Sequence, residues 1–215
     1  SFGNGSTAMD AVDGYGGSLP IPDRFQHLLK LISSERFLRM QGLGNEVPFF
    51  ICPFPPKDSV DMEQMAGQLA NRLGQNGIRV LEINLYDLCI ELLTERGIWE
   101  QVLEAEPAVS KAELMELLQG VLDPEHHLVP AIAVKMAEAG EFAVMFLTGV
   151  GEVFPYIRSH NVLNNLQSTA KARPTVMFFP GRYTQSLEQG ASLELFGVLH
   201  DDKYYRAFNV YHIQV

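Results

Sequence analysis

"EVPFFICPFPPKDS", residues 46–59, decides the fold. From Val47 to Pro56 the chain carries no charge, so an extended conformation would be apolar on both faces. A strand of that kind belongs inside a parallel sheet covered by helices, and its prolines mark where it stops. The residues after it decide the chemistry. A P-loop protein would place G-x-x-x-x-G-K-[ST] here, so that backbone N–H groups cradle a phosphate. Lys57 and Ser59 superficially suit that role. No glycine accompanies them, and Pro53, Pro55 and Pro56 lack the N–H donors that the cradle needs.

Three more apolar runs repeat the pattern: "IRVLEINL" (78–85), "FAVMFLTG" (142–149) and "PTVMFFPG" (174–181). Helical periodicity separates them. Phe25, Leu28, Leu29 and Ile32 share a face behind Asp23, the expected cap, and a short helix is expected around Ser34 to Met40 before Gly42 and Gly44. Met62, Met65, Leu69 and Leu73 define a helix over Asp61 to Gln75, with Ser59 or Asp61 as its cap. Tyr86 to Arg96 follows, and the chain stays helical to about Gly140, broken near Pro107 and at "DPEHH". Ser110 and Glu113 form an S-x-x-E capping pattern. The tail "LELFGVLHDDKYYRAFNVYHI" (193–213) reads as two strands in an antiparallel hairpin through His200, Asp201 and Asp202. The expectation is a three-layer α/β domain over residues 21–215, a mostly parallel sheet flanked by helices, Rossmann-like or degenerate P-loop-like. Residues 1–20 are Gly-, Ser- and Asp-rich with no apolar period; Ser1 to Ala8 are expected to derive from an expression vector.

Composition narrows the function classes. The 215 residues carry a net charge of −10, which argues against a surface that grips nucleic acid directly. Basic residues do gather late, at Arg158, Lys171, Arg173, Arg182, Lys203 and Arg206. No apolar run is long enough to cross a bilayer and no secretory signal is visible, so a cytoplasmic location is expected. Cys52 and Cys89 lie in separate apolar segments, with no zinc spacing and no C-x-x-C pair.

In a sheet of this class, ligands bind beyond the carboxyl ends of the strands. Lys57, Thr148, Gly149, Gly151 and Arg182 fall on those loops and form the candidate ligand site, which would suit a nucleotide sensor or a weak phosphohydrolase. "TGVG" (148–151) is a lone G-x-G without the third glycine of a dinucleotide fingerprint. Turn chemistry explains it: the glycines allow a tight strand-to-helix turn, and Pro155 suits the first helical position. The following helix buries Ser159, Val162, Leu163 and Leu166, while Arg158, Asn161 and Asn165 fall on one polar stripe and His160 lies between the faces. Arg158, His160, Asn161 and Asn165 are the candidate partner-binding residues, because arginine and amides recognise backbone and carboxylate groups. His126 and His127 are adjacent on a helix and point apart, so they cannot share a metal. Glu82 and Asp87 resemble a nuclease-like acid pair that lacks its nearby lysine. No catalytic set, cofactor motif or metal site is defined.

Six segments, in order, resemble the BrxB family of bacteriophage-exclusion (BREX) systems: "SSERFLRMQGLGNEVPFFICPFPPKD" (33–58), "VLEINLYDLCIELLTERG" (80–97), "LQGVLDPEHHLVPAIA" (118–133), "FLTGVGEVFPYIRSHNVLNNLQ" (146–167), "PTVMFFPGRY" (174–183) and "FGVLHDDKYYRAF" (196–208). The resemblance implies an accessory component of a system that restricts phage and marks host DNA by methylation, with no assigned enzymatic activity. The partners it implies are other BREX proteins: the alkaline-phosphatase-like PglZ, the AAA+ ATPase BrxC and the methyltransferase PglX. A non-enzymatic scaffold acting through protein contacts is the expected function.

Overall fold

A computed structural model describes residues 19–40, 49–105, 110–186, 190–195, 201–203 and 207–215. Five parallel strands form the sheet: β1 (Phe49–Phe54), β2 (Val80–Asn84), β3 (Val144–Thr148), β4 (Thr175–Ser186) and the late β7 (Ala207–Asn209), in the order β2-β3-β4-β1-β7. Two further strands, β5 (Gly190–Leu195) and β6 (Asp201–Lys203), extend β4 by antiparallel pairing.

The strand runs are apolar because both faces are covered. Along β1, Phe49 and Ile51 enter one core while Phe50, Cys52 and Phe54 enter the other. The same alternation sends Met145 and Leu147 of β3 to the first core and Val144 and Phe146 to the second. Each large side chain buried this way contributes about 1.5–3 kcal/mol. The second core is closed by α1 (Ile21–Ser33), α2 (Glu35–Leu38) and α3 (Ser59–Gln75). The first is closed by α4 (Leu85–Glu95), α5 (Trp99–Ala105), α6 (Lys111–Val121), α7 (Val129–Ala139), α8 (Val150–Val153) and α9 (Ser159–Leu166). A π-helical turn at Pro124–Leu128 joins α6 to α7. No described helix is long and apolar enough to cross a membrane.

Several sequence expectations need correction. Among the described residues, the tail does not form the expected hairpin through His200, Asp201 and Asp202. Asp201 and Asp202 lie within β6 rather than in a turn, and Ala207–Asn209 joins β1 in parallel, with Phe49 opposite Ala207. Asp23 does not cap α1: the cap position is Pro20, no side chain bonds there, and Asp23 sits inside the first turn. Neither Ser59 nor Asp61 caps α3, whose cap position is Asp58; the Ser59 hydroxyl donates to the Pro56 carbonyl instead. Pro155 does not begin a helix. It follows a cis bond from Phe154 in the turn before α9, which starts at Ser159. Other details agree: Ser110 Oγ accepts the Glu113 N–H at 3.2 Å, and Ser159, Val162, Leu163 and Leu166 are all buried. The expected breaks at Gly42, Gly44 and Pro107, and residues 1–18, lie outside the described residues.

Candidate functional site

β3 ends at Thr148, and Gly149 turns the chain into α8 with φ 71°. This left-handed backbone favours glycine. Contact also demands it, because a Cβ at residue 149 would lie 3.0 Å from the Tyr86 backbone nitrogen and would crowd the Asn84 side chain. Asn84 is itself committed: its Oδ1 accepts the Asp87 N–H at 3.1 Å and caps α4. Gly151 sits within the helical turn of α8, so only Gly149 of the pair needs its conformational freedom.

The Gly149 amide, the donor that a phosphate would seek, lies beside the protein's own carboxylate. Glu63 of α3 stands close enough to it, and to Glu152 of α8, for both to act on its titration. Burial, most of all, raises the Glu63 pKa above its ordinary value; Glu152 adds to this, and the Gly149 amide partly opposes it.

The other loop residues do not gather around this turn. Thr148 lines a groove of about 690 Å³, but neither Lys57 nor Arg182 does. Lys57 is exposed on the 3-10 turn after β1, and β4 separates β1 from β3. With strands ~4.8 Å apart, the two strand ends stand roughly 10 Å from each other. Arg182 is exposed on β4, beyond the last residue of β1: Phe54 pairs with both Pro180 and Gly181.

The groove follows the outer edge of β2. Glu63 of α3 borders one side and Asp87, Glu91 and Lys135 the other, with Glu82 on the strand itself. The lysine that the acid pair lacked in sequence thus arrives from α7. Its ammonium lies 3.1 Å from a Glu91 carboxylate oxygen. Burial raises the Glu82 pKa. The oxygens of these carboxylates are not gathered closely enough to ligate one ion. Among the described residues, ligand atoms that close come together only at Asp123, Glu125 and His126, where His126 Nδ1 lies 2.8 Å from the Asp123 carboxylate and that carboxylate also accepts the His126 amide.

The helix after the turn is divided differently. Arg158 is exposed at the cap position of α9, and Asn161 and Asn165 are half-buried. Asn165 Nδ2 donates to the Asn161 carbonyl at 2.7 Å, so part of this stripe is used within the helix. His160 is buried at 6% exposure and supports α9 from inside.

The family model for "BREX protein BrxB" matches residues 81–210, from β2 to the end of the sheet. A BREX protein BrxB of Bacillus cereus (strain H3081.97) is 33% identical over 193 residues, 88% of this chain and 97% of its own length. The chain belongs to the BrxB family. A BREX protein BrxB of Escherichia coli O9:H4 (strain HS) is 29% identical over 187 residues, 87% of this chain and 90% of its own. No solved structure gives a significant match. The BrxB match contains the Gly149 turn, Glu152, α9 and most of the groove, whereas Glu63 lies before it.

Sequence spacing had set Glu82 and Asp87 side by side, but it missed Glu63, Glu91 and Lys135 as their neighbours. The groove joins α3, β2, α4 and α7, and no local pattern links elements so far apart in the chain. The one available signal was Glu82 itself, a charge within an otherwise apolar strand.

Proposed function

We propose that this BrxB-family chain is a non-enzymatic adaptor of a BREX anti-phage system, a degenerate Rossmann-like or P-loop-like domain that acts through contacts with other BREX subunits. The placement of Glu63 beside the Gly149 amide carries this reading. It sets a carboxyl group beside the TGVG turn, where a phosphate would need a free donor. The proline-rich loop after β1 supplies no alternative cradle. The partners proposed are PglZ first, then BrxC and PglX, with Arg158, Asn161 and Asn165 as one contact stripe. Co-purification with each subunit tests the adaptor role, and calorimetry with ATP and GTP to millimolar concentration tests for a ligand. Recovery of at least one subunit with no nucleotide heat is the expected result. Nucleotide binding that Glu63→Gln strengthens would overturn it.

A further inference from the structure

β2 ends the sheet on one side: among the described residues it pairs with β3 alone. The Arg79 carbonyl accepts the Ala143 amide, so position 79 faces β3. Alternation along the strand then turns the backbone N–H and C=O of Val80 and Glu82 outward. An edge of this kind can template another strand, and natural proteins guard it with charge. Here the guard is Glu82, and it excludes one class of partner. Two copies paired edge to edge would bring carboxylates together, and like charges directly opposite are destabilising.

The groove beside this edge says what fits. Four carboxylates line it, Glu63, Glu82, Asp87 and Glu91, against the single ammonium of Lys135, which Glu91 already engages. They stand on both sides of the strand: Glu63 on α3, Asp87 and Glu91 on α4. Successive side chains of an added strand point to opposite faces, so basic residues on either face would meet a carboxylate. Val60, 79% exposed on the α3 rim, gives the same groove an apolar border. The two longest stretches of the chain outside the described residues do not suit it. Residues 1–18 hold Asp10 and Asp13 and no lysine or arginine, and residues 41–48 hold Glu46 and no basic residue.

We propose that the outer edge of β2 takes up an extended, lysine- or arginine-bearing segment of a partner protein as an added strand, with its basic side chains against Glu63, Glu82, Asp87 and Glu91. The interaction rests on the adaptor reading and supplies its docking mode. Main-chain hydrogen bonds give the strand its hold, and the carboxylates give its choice of sequence. No residue of α9 lines this groove.

The probe is an acetylated heptapeptide of alternating lysine and valine, titrated into the full chain, with a glutamate–valine peptide as its control. Expected are binding of the lysine peptide alone, slower hydrogen exchange at the Val80 and Glu82 amides, and weakening as salt rises. Glu82→Lys should weaken binding about tenfold, as expected when a charge in a complementary interface is reversed; Glu82→Gln, milder at an exposed position, should weaken it less. Equal binding of both peptides, or unchanged exchange at Val80 and Glu82, would overturn the proposal. So would a concentration-dependent dimer that protects those amides, or protection that disappears when residues 1–18 are removed. If BREX subunits co-purify equally with Glu82→Lys and with the unaltered chain, the groove fails and the adaptor role stands. If no subunit is recovered by the unaltered chain, the adaptor role fails, and the peptide result decides the groove.

Discussion

The guanidinium of Arg24, in the first helix, lies 3.2 Å from the phenolic oxygen of Tyr211, 187 residues later. Both side chains are buried, at 3% and 2% exposure. Arg24 Nε also donates to the Leu19 carbonyl at 2.9 Å, and the guanidinium stands 5.2 Å from the Tyr211 ring centroid. Cys52 of β1 contacts the same phenol at 3.5 Å, and His27 reaches the Val210 carbonyl at 2.8 Å. These contacts fasten α1 and the last turn of the chain to the end of β1.

Tyr211→Phe should therefore destabilise the fold although it deletes one oxygen. A buried cation loses a partner, and leaving a buried polar group short of a hydrogen bond costs about 1–3 kcal/mol. Denaturant unfolding should show a lower midpoint with an unchanged slope. A midpoint equal to that of the unaltered protein would remove the phenol from the network.

Two glycine substitutions should act in opposite directions. Gly149→Ala forces a left-handed residue to carry a Cβ against the Tyr86 backbone, and such strain costs about 1–3 kcal/mol. Gly74→Ala lies in α3 with open space around the new methyl and should stabilise by roughly 0.5–1 kcal/mol. Thermal melts of the two variants should fall on either side of the parent. Equal shifts would contradict the assigned turn.

The raised pKa of Glu63 fixes the sign of a pH effect. The folded state holds this proton more tightly than the unfolded chain, whose carboxyl titrates near 4.5. The penalty is present in full above the folded pKa and is relieved as pH falls through it toward 4.5. Glu63→Gln keeps an acceptor for Gly149 and removes the charge. It should be more stable than the parent at pH 8, with the difference shrinking on acidification through that window. Urea midpoints measured across it provide the check, and a gap that widens with acid would refute the assignment.

Both thiols should be inert in the folded protein. Burial lifts Cys52 to about 11 and Cys89 to about 12, so little thiolate exists at pH 8. A disulfide-exchange reagent should label neither until denaturant is added, and prompt labelling of either residue would contradict its burial.

Much of this fold was legible because three strands, β1, β3 and β4, are buried on both faces. "PFFICPFP" (48–55) and "TVMFF" (175–179) carry no charge, a pattern that a one-sided sheet does not produce. The tail was illegible for the opposite reason. Ala207, Phe208 and Asn209 are compatible with any strand partner, and the choice of β1 depends on contacts more than 150 positions away. At the turn, "TGVG" correctly signalled a bend, but the glutamate beside its amide comes from α3, and no spacing rule could have supplied it. The caps misled in a simpler way. Pro20 and Asp58 hold the cap positions of α1 and α3 without a side-chain bond, because prolines already fix the entry of the chain there.

α9 is the place to separate binding from stability. Arg158 is exposed and Asn161 half-buried, so Arg158→Glu with Asn161→Ala should change the unfolding free energy by no more than about 0.5 kcal/mol, as surface substitutions usually do. His160 is buried, and His160→Ala opens a cavity under the same helix at a cost of about 2–4 kcal/mol. If the stripe is a docking surface, the double variant should lower co-purification of a BREX subunit while melting like the parent. His160→Ala should lower it only as far as it unfolds the chain. Losses that track stability in both variants would make α9 a structural element and leave the β2 edge as the docking surface to pursue.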